Sequence, residues 1–219
     1  LNTINVKKID GSERIKMTLG AGTRLSKIVA ISSKLGYTGF EGLVGIPGTV
    51  GGAVFMNAGS FGTEISEYLI SVDVMDRLGR VKTLRKEDIE FSYRHSSIGR
   101  DEVIISASFI LFKDDVDRVK DRIRMYMDKK KATQPIGQPS SGCVFKNPEG
   151  KYAGWLLEAS DCKGLCVGGA EISKIHANFI INKGGSSTDF LKLMELAKKR
   201  VYDKFSISLS PEIVIVGDE

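Results

Sequence analysis

Apolar residues alternate with polar ones over residues 1–6 and 15–19, the period of short strands, and the two segments flank a turn at Asp10 and Gly11. From residue 25 to 35 the spacing becomes that of a helix, with Gly36 placed to close it. Two further segments, 69–75 and 81–84, surround Asp76-Arg77-Leu78-Gly79 and predict a β-hairpin, while 103–112 predicts another strand. Charged positions interleaved with apolar ones predict an amphipathic helix over 115–131. Pro135, Pro139 and Pro148 then bracket a loop that cannot be helical throughout. Beyond it the pattern predicts helices over 152–159 and 188–202, the second capped near Ser187, and strands over 179–182 and 213–216. The sum is a mixed α+β fold. A boundary near residue 113, or else within 131–138, divides it into two lobes; the first choice gives 1–113 and 114–219. No internal repeat or low-complexity segment appears.

One stretch resists this reading. Residues 42–62 are dense in glycine, although each glycine weakens regular structure by about 0.5–1 kcal/mol relative to alanine. Something must therefore approach the backbone there. Gly45-Ile46-Pro47-Gly48-Thr49-Val50-Gly51-Gly52 precedes the apolar residues 53–56 and then Asn57-Ala58-Gly59. A glycine-rich turn feeding a helix offers unpaired backbone N–H groups and a positive dipole end, the physical basis of phosphate binding. A tight packing corner is the alternative. The spacing is neither G-x-G-x-x-G behind a strand nor a P-loop, since no Gly-Lys-Ser/Thr occurs.

Charge and cysteine content narrow the ligand class. The chain has 219 residues, a net charge of +5 and 27% charged residues, with lysine and arginine scattered among acids and no long basic block. That suits an anionic small molecule and argues against nucleic acid. The run from Lys129 to Lys131 closes a helix, where cations favour the carbonyl end. Three cysteines, Cys143, Cys162 and Cys166, match no disulfide scaffold and point to a reducing compartment, with cytoplasm as the default. Cys162, Cys166 and His176 lack both a fourth partner and a known zinc spacing, so no metal is expected. No apolar run reaches the length of a membrane span and no signal sequence opens the chain.

Other short segments can carry chemistry. Phe91-Ser92-Tyr93-Arg94 puts an arginine on a loop, either a solvated charge or a planar fork for a substrate carboxylate. Ser140-Ser141-Gly142-Cys143-Val144-Phe145-Lys146-Asn147-Pro148 surrounds one thiol with small residues and adds a cation and an amide. A buried inert thiol is the alternative. Ser210-Pro211-Glu212 places a carboxylate at the mouth of the last expected strand, either an exposed end residue or a site group, and His176 reads as structural or functional alike.

In order and content, residues 45–59, Tyr93-Arg94, 142–148, 176–182 and Pro211-Glu212 resemble the UDP-N-acetylenolpyruvoylglucosamine reductase family of FAD enzymes, along essentially the whole chain. The resemblance implies the second part of an FAD-binding, vanillyl-alcohol-oxidase-like domain followed by a C-terminal α+β substrate-binding domain. It implies NADPH-driven, FAD-dependent reduction of a UDP-linked enolpyruvyl sugar in peptidoglycan precursor synthesis. Arg94 resembles the arginine facing the substrate carboxylate and the developing enolate, and Glu212 its partner in that stabilisation. Cys143 stands where many members have a serine that protonates C2; a free thiol, of pKa about 8.5, is a far better acid than an alcohol. Tyr93, Lys131 and Asn147 resemble substrate contacts. Gly45, Ile46, Pro47, Gly48, Thr49, Gly51, Gly52, Asn57, Ala58 and Gly59 resemble the second-domain cofactor segment. The family's N-terminal Gly-Gly-Gly-Ser-Asn string is not in this sequence, so weak FAD binding and an inactive isolated chain are expected, with residues near Leu1 a remnant of the end of that first domain. The family's extra tyrosine loop is also absent between Gly164 and Gly184, which favours its shorter type. A monomer is expected. Two competing readings are another flavoprotein oxidase of the same superfamily and a non-enzymatic nucleotide-binding fragment.

Overall fold

A computed structural model describes residues 1–217 and divides the chain into two units, the first ending at Lys129 and the second starting at Lys130. In the first, β1 (Ile4–Lys8) and β2 (Arg14–Gly20) form an antiparallel pair, and α1 (Leu25–Leu35) stops at Gly36, whose φ of 72° makes the left-handed cap. A two-residue strand β3 (Tyr37–Thr38) leads into the glycine-dense stretch. This stretch contains a short helix α2 (Val50–Phe55) and a small ribbon of β4 (Gly59–Ser60) and β5 (Thr63–Glu64). The expected hairpin follows as β6 (Leu69–Met75) and β7 (Val81–Arg85), its turn held by the Asp76 carboxylate accepting the Leu78 and Arg80 N–H groups. A second tiny hairpin, β8 (Phe91–Ser92) with β9 (His95–Ser96), precedes the long strand β10 (Val103–Lys113). The main sheet runs β1-β2-β10-β6-β7, all antiparallel, with β3 added beside the end of β10.

The period-two pattern sets which face of this sheet is dry. On β2, Ile15, Met17 and Leu19 are buried while Arg14 and Lys16 face solvent. Phe109 of β10 meets Phe40 edge to face at 5.2 Å, and Leu25 and Ile28 of α1 close over the same core. Each such fully buried side chain contributes about 1.5–3 kcal/mol. The amphipathic helix α3 (Val116–Thr133) starts one residue later than the sequence suggests and sends Ile123, Tyr126 and Met127 against this first core.

In the second unit the proline-bracketed loop contains a short strand, β11 (Ser140–Cys143), which the sequence did not suggest. Helix α4 (Ala153–Ala159) follows, then β12 (Cys166–Val167), β13 (Ala170–Ile172), β14 (Phe179–Asn182) and α5 (Ser187–Phe205). The sheet order is β11-β14-β13-β12, again antiparallel. Leu193 and Met194, then Ala197 and Val201, recur along α5 at helical spacing and bury one stripe against Leu156, Leu157 and Ile180. The cap of α5 is Ser186 rather than Ser187: its hydroxyl accepts from Asp189 N, and the Asp189 carboxylate accepts from Ser186 N.

The strand expected over 213–216 does not form. Pro211 makes a single bridge to Phe145, and Val214, Ile215 and Val216 stay exposed. The neighbouring strand explains this, because the register of β11 against β14 is broken between Ser140 and Cys143 and offers no regular edge to extend.

Candidate functional site

The glycine segment has a built interior. A cavity of about 730 Å³ is lined by Val44, Gly45, Ile46, Pro47, Gly48 and Thr49 on one side, by Arg24, Ser26, Val29, Ala30 and Ser33 on another, and by Ile123 and Met127 on a third. The segment is fastened to the start of α1 by the Leu25 N–H donating to Gly48 O and by a bridge between Arg24 and Thr49. Gly48, at φ 142°, presents bare backbone to open space, which only glycine does without strain.

The expectation of free amides at the helix start needs correction. Val50 N–H donates to Thr23 O at 2.9 Å and Gly51 N–H to Ala21 O at 2.8 Å, so the first donors of α2 are spent on the protein itself. Gly51 is glycine for close packing, since a Cβ there would lie 2.9 Å from that of Ala21. The packing-corner reading thus holds for Val50 and Gly51, while 45–49 form a wall of the cavity.

The far end of the segment is tied to Arg94. Tyr93 and Arg94 form the two-residue turn between β8 and β9, and Arg94 adopts φ 54°, a left-handed conformation that costs a non-glycine residue on the order of 1 kcal/mol or more. Its guanidinium lies 4.9 Å from the Tyr93 ring centre and donates through Nη2 to Gly59 O at 3.1 Å. Ser96 Oγ donates to Phe55 O, and Asn57 Nδ2 to Ser92 O at 3.1 Å, so both arms of the hairpin hold the glycine segment. Asn57 is itself left-handed, at φ 45°, and fully buried. Asn57 and Gly59 stand out in the sequence only by resemblance to a cofactor segment; their bonds to the arginine hairpin carry no local signal.

In the second unit, Cys143 ends β11, half buried. The next residues cross to the C-terminal segment: Glu212 N–H donates to Val144 O at 2.8 Å and Lys146 N–H to Ser210 O at 2.9 Å. Cys143 and Glu212 therefore leave neighbouring backbone, though far apart in sequence. The organiser here is Asn178, a buried residue the sequence reading did not single out. Its Oδ1 accepts from Phe145 N at 2.9 Å, its Nδ2 donates to Phe145 O at 2.8 Å, and its own carbonyl accepts from Val144 N. Asn147 Oδ1 accepts the first amide of α4 from Ala153, which leaves its NH2 end as the part suited to a ligand acceptor. Lys131 lies in the last turn of α3 and is exposed.

His176 is half buried; burial holds its imidazole below the ordinary histidine range, with the Lys163 charge adding to the effect, and Nδ1 accepts from Asn178 N at 3.2 Å. That is a structural role, supporting Asn178. Cys162 is buried, which pushes its thiol up, while Cys166 is exposed. Among the described residues no helix is long and apolar enough to cross a membrane.

A largely apolar cavity with bare glycine backbone along one wall suits a flat, partly apolar ligand, and comparison with known proteins places the chain in the class of FAD-dependent oxidoreductases. Residues 1–85 match the model of an FAD-binding domain, and residues 134–216 match that of the UDP-N-acetylenolpyruvoylglucosamine reductase C-terminal domain. The UDP-N-acetylenolpyruvoylglucosamine reductase of Clostridium novyi (strain NT) is 43% identical over 220 residues, covering 100% of this chain and 71% of that protein. That of Anoxybacillus flavithermus (strain DSM 21510 / WK1) is 40% identical, covering 92% and 68%. The crystal structure of UDP-N-acetylenolpyruvylglucosamine reductase (MurB) from Thermus caldophilus superposes with a TM-score of 0.80 at 36% identity, over 89% of this chain and 70% of that one. The chain belongs to the UDP-N-acetylenolpyruvoylglucosamine reductase family.

Proposed function

We propose that this chain carries the catalytic residues for NADPH-driven reduction of UDP-N-acetylglucosamine enolpyruvate to UDP-N-acetylmuramate, in the cytoplasm, as a step of peptidoglycan precursor synthesis. The direct backbone pairing of the Cys143 and Glu212 segments supports the reading, because it sets a thiol-bearing and a carboxylate-bearing residue on adjacent backbone although they lie far apart in sequence. The cavity and bare backbone at 45–49 fit a partly apolar flat cofactor, with Gly45, Ile46, Pro47, Gly48 and Thr49 as the residues that would hold it. FAD bound there would pass hydride from NADPH to the enolpyruvyl C3. Arg94, a fixed cation, opposes the substrate carboxylate and the charge that develops as its enolate forms. Cys143 gives its S–H proton to C2, and Glu212 shares a proton with the developing enolate. Tyr93, Lys131 and Asn147 hold the UDP-sugar, the lysine at the diphosphate.

The test is a steady-state assay with NADPH and the enolpyruvyl UDP-sugar at saturating FAD, with a relative's N-terminal FAD-binding domain supplied because the chain alone is expected to bind FAD weakly. Cys143→Ala is expected to lower kcat by about a hundredfold or more, within the range general acid catalysis supplies, and Cys143→Ser to recover part of it. Wild-type turnover in Cys143→Ala refutes the proton-donor role.

A further inference from the structure

The hydrogen bonds around Asn57 single out a residue with no assigned role. Asn57 Nδ2 donates both of its hydrogens, one to Glu64 Oε2 at 2.6 Å and one to Ser92 O at 3.1 Å. Both partners are acceptors, so the amide cannot turn over, and Asn57 Oδ1 is left buried without a hydrogen-bond partner. An orphaned buried oxygen and a left-handed asparagine are unfavourable features held in one place, and such features persist only where the surroundings impose them.

The group that imposes them is the Glu64 carboxylate. It also accepts the Glu67 N–H of the turn that follows, while Glu64 N donates to Glu67 Oε1 at 2.6 Å, so its own position is fixed. Glu64 pairs with Gly59 across the β4–β5 ribbon, and Gly59 O is the acceptor for Arg94 Nη2. Two routes therefore run from one side chain to the arginine: through Asn57 to the backbone of Ser92, two residues before Arg94, and through the ribbon to the carbonyl that the guanidinium touches.

We propose that Glu64 is a positioning residue that sets the Arg94 guanidinium for the substrate carboxylate by locking the Asn57 amide. The inference rests on the role given to Arg94 above. Glu64 acts through Asn57 and Gly59: it fixes the hairpin turn whose left-handed arginine would otherwise relax to a commoner conformation. Displacement of a catalytic group by as little as an ångström can cost a hundredfold in rate, which sets the scale of the effect.

The experiment separates the two half-reactions by anaerobic stopped flow in the protein loaded with FAD in the same way, a relative's N-terminal FAD-binding domain supplied. Glu64→Ala is expected to slow reoxidation of reduced flavin by the enolpyruvyl UDP-sugar by about tenfold to a hundredfold. Bleaching of the flavin by NADPH should stay within about twofold of wild type, because Arg94 takes no part in it. Glu64→Gln keeps one acceptor oxygen for the Asn57 amide and is expected to return the slow step to within about threefold. In an Arg94→Lys background, Glu64→Ala should slow reoxidation little further, while lowering the melting temperature as much as it does alone. If both half-reactions fall together, or the effect is undiminished beside Arg94→Lys, Glu64 is structural and the proposal is overturned. If Arg94→Lys alone reoxidises at the wild-type rate, the role of Arg94 fails first and takes this one with it.

Discussion

Replacing Arg122 by methionine keeps the aliphatic stem of the side chain and removes its charge, so it isolates the clamp between α3 and the segment ahead of the glycine wall. Arg122 donates to Glu41 Oε1 through Nε at 3.0 Å and Nη2 at 2.8 Å, and through Nη2 to Asp114 at 2.5 Å. The Glu41 side chain is only 7% exposed, against 33% for Arg122. Breaking a fully buried pair costs about 3–5 kcal/mol. Here the carboxylate keeps Thr38 Oγ1 and Gly39 N as donors, and water reaches the arginine side, so a loss of about 2–3 kcal/mol is the reasoned value. That corresponds to a fall in melting temperature of roughly 5–10 °C for the transition of the first unit. The pH dependence supplies a second readout. Burial alone would raise the Glu41 carboxyl; the Gly39 N–H, the Arg122 guanidinium and the Thr38 hydroxyl outweigh it and hold the carboxyl below its ordinary range. A depressed carboxyl stabilises the fold above its unfolded pKa of about 4.3 and loses that contribution as pH falls through the folded value. Arg122→Met should therefore melt well below wild type near neutrality and approach it at acid pH. Calorimetry or circular dichroism across that range decides it. A shift under about 2 °C near neutral pH, or one that does not shrink on acidification, refutes the reasoning.

Two further outcomes follow from the same kind of argument. The His176 imidazole is held down by burial, so the unfolded chain takes up its proton first as pH drops below about 6.5, and stability falls from there toward the folded pKa. His176→Asn, which keeps an acceptor for the Asn178 N–H, should show a shallower loss of melting temperature between about pH 7 and about pH 5, above the range where the carboxylates act. Gly59→Ala would put a Cβ 2.0 Å from Thr63 O, so the β4–β5 ribbon must part; we expect a destabilisation of about 1–3 kcal/mol in denaturant melts together with weaker substrate binding, since Gly59 O also holds Arg94.

Regular elements were legible wherever one short-range rule governed them. The helix ending at Gly36, the hairpin around Asp76 and the strand at 179–182 each carry their own period and stop signal, and each forms as read. Apolar residues at 213–216 mimicked a strand because alternation cannot say whether a partner edge exists, and the broken register of β11 withholds one. The same limit applies to chemistry. Arg94, Cys143 and Glu212 stood out by residue type and by resemblance, whereas Asn178 and Arg122 act on partners far away in the chain, and Glu64 acts through a buried asparagine that carries no local signal. No local pattern distinguishes Asn178 from a surface amide until Phe145 is seen on both of its polar ends.

Helix α3 bears on how this polypeptide can be cut. Periodicity invites a border at residue 113, where the last strand of the sheet ends, yet Ile123 and Met127 lie beyond it and form one wall of the cavity. A fragment trimmed there would open its cavity to water, bare the apolar surface under the helix and leave the Glu41 carboxylate without its counter-charge. Such a piece should precipitate or be digested, whereas one extended through Lys129 keeps its own lid and counter-charge. For this protein the dispensable peptide bonds are those after the helix has finished its work on the first unit.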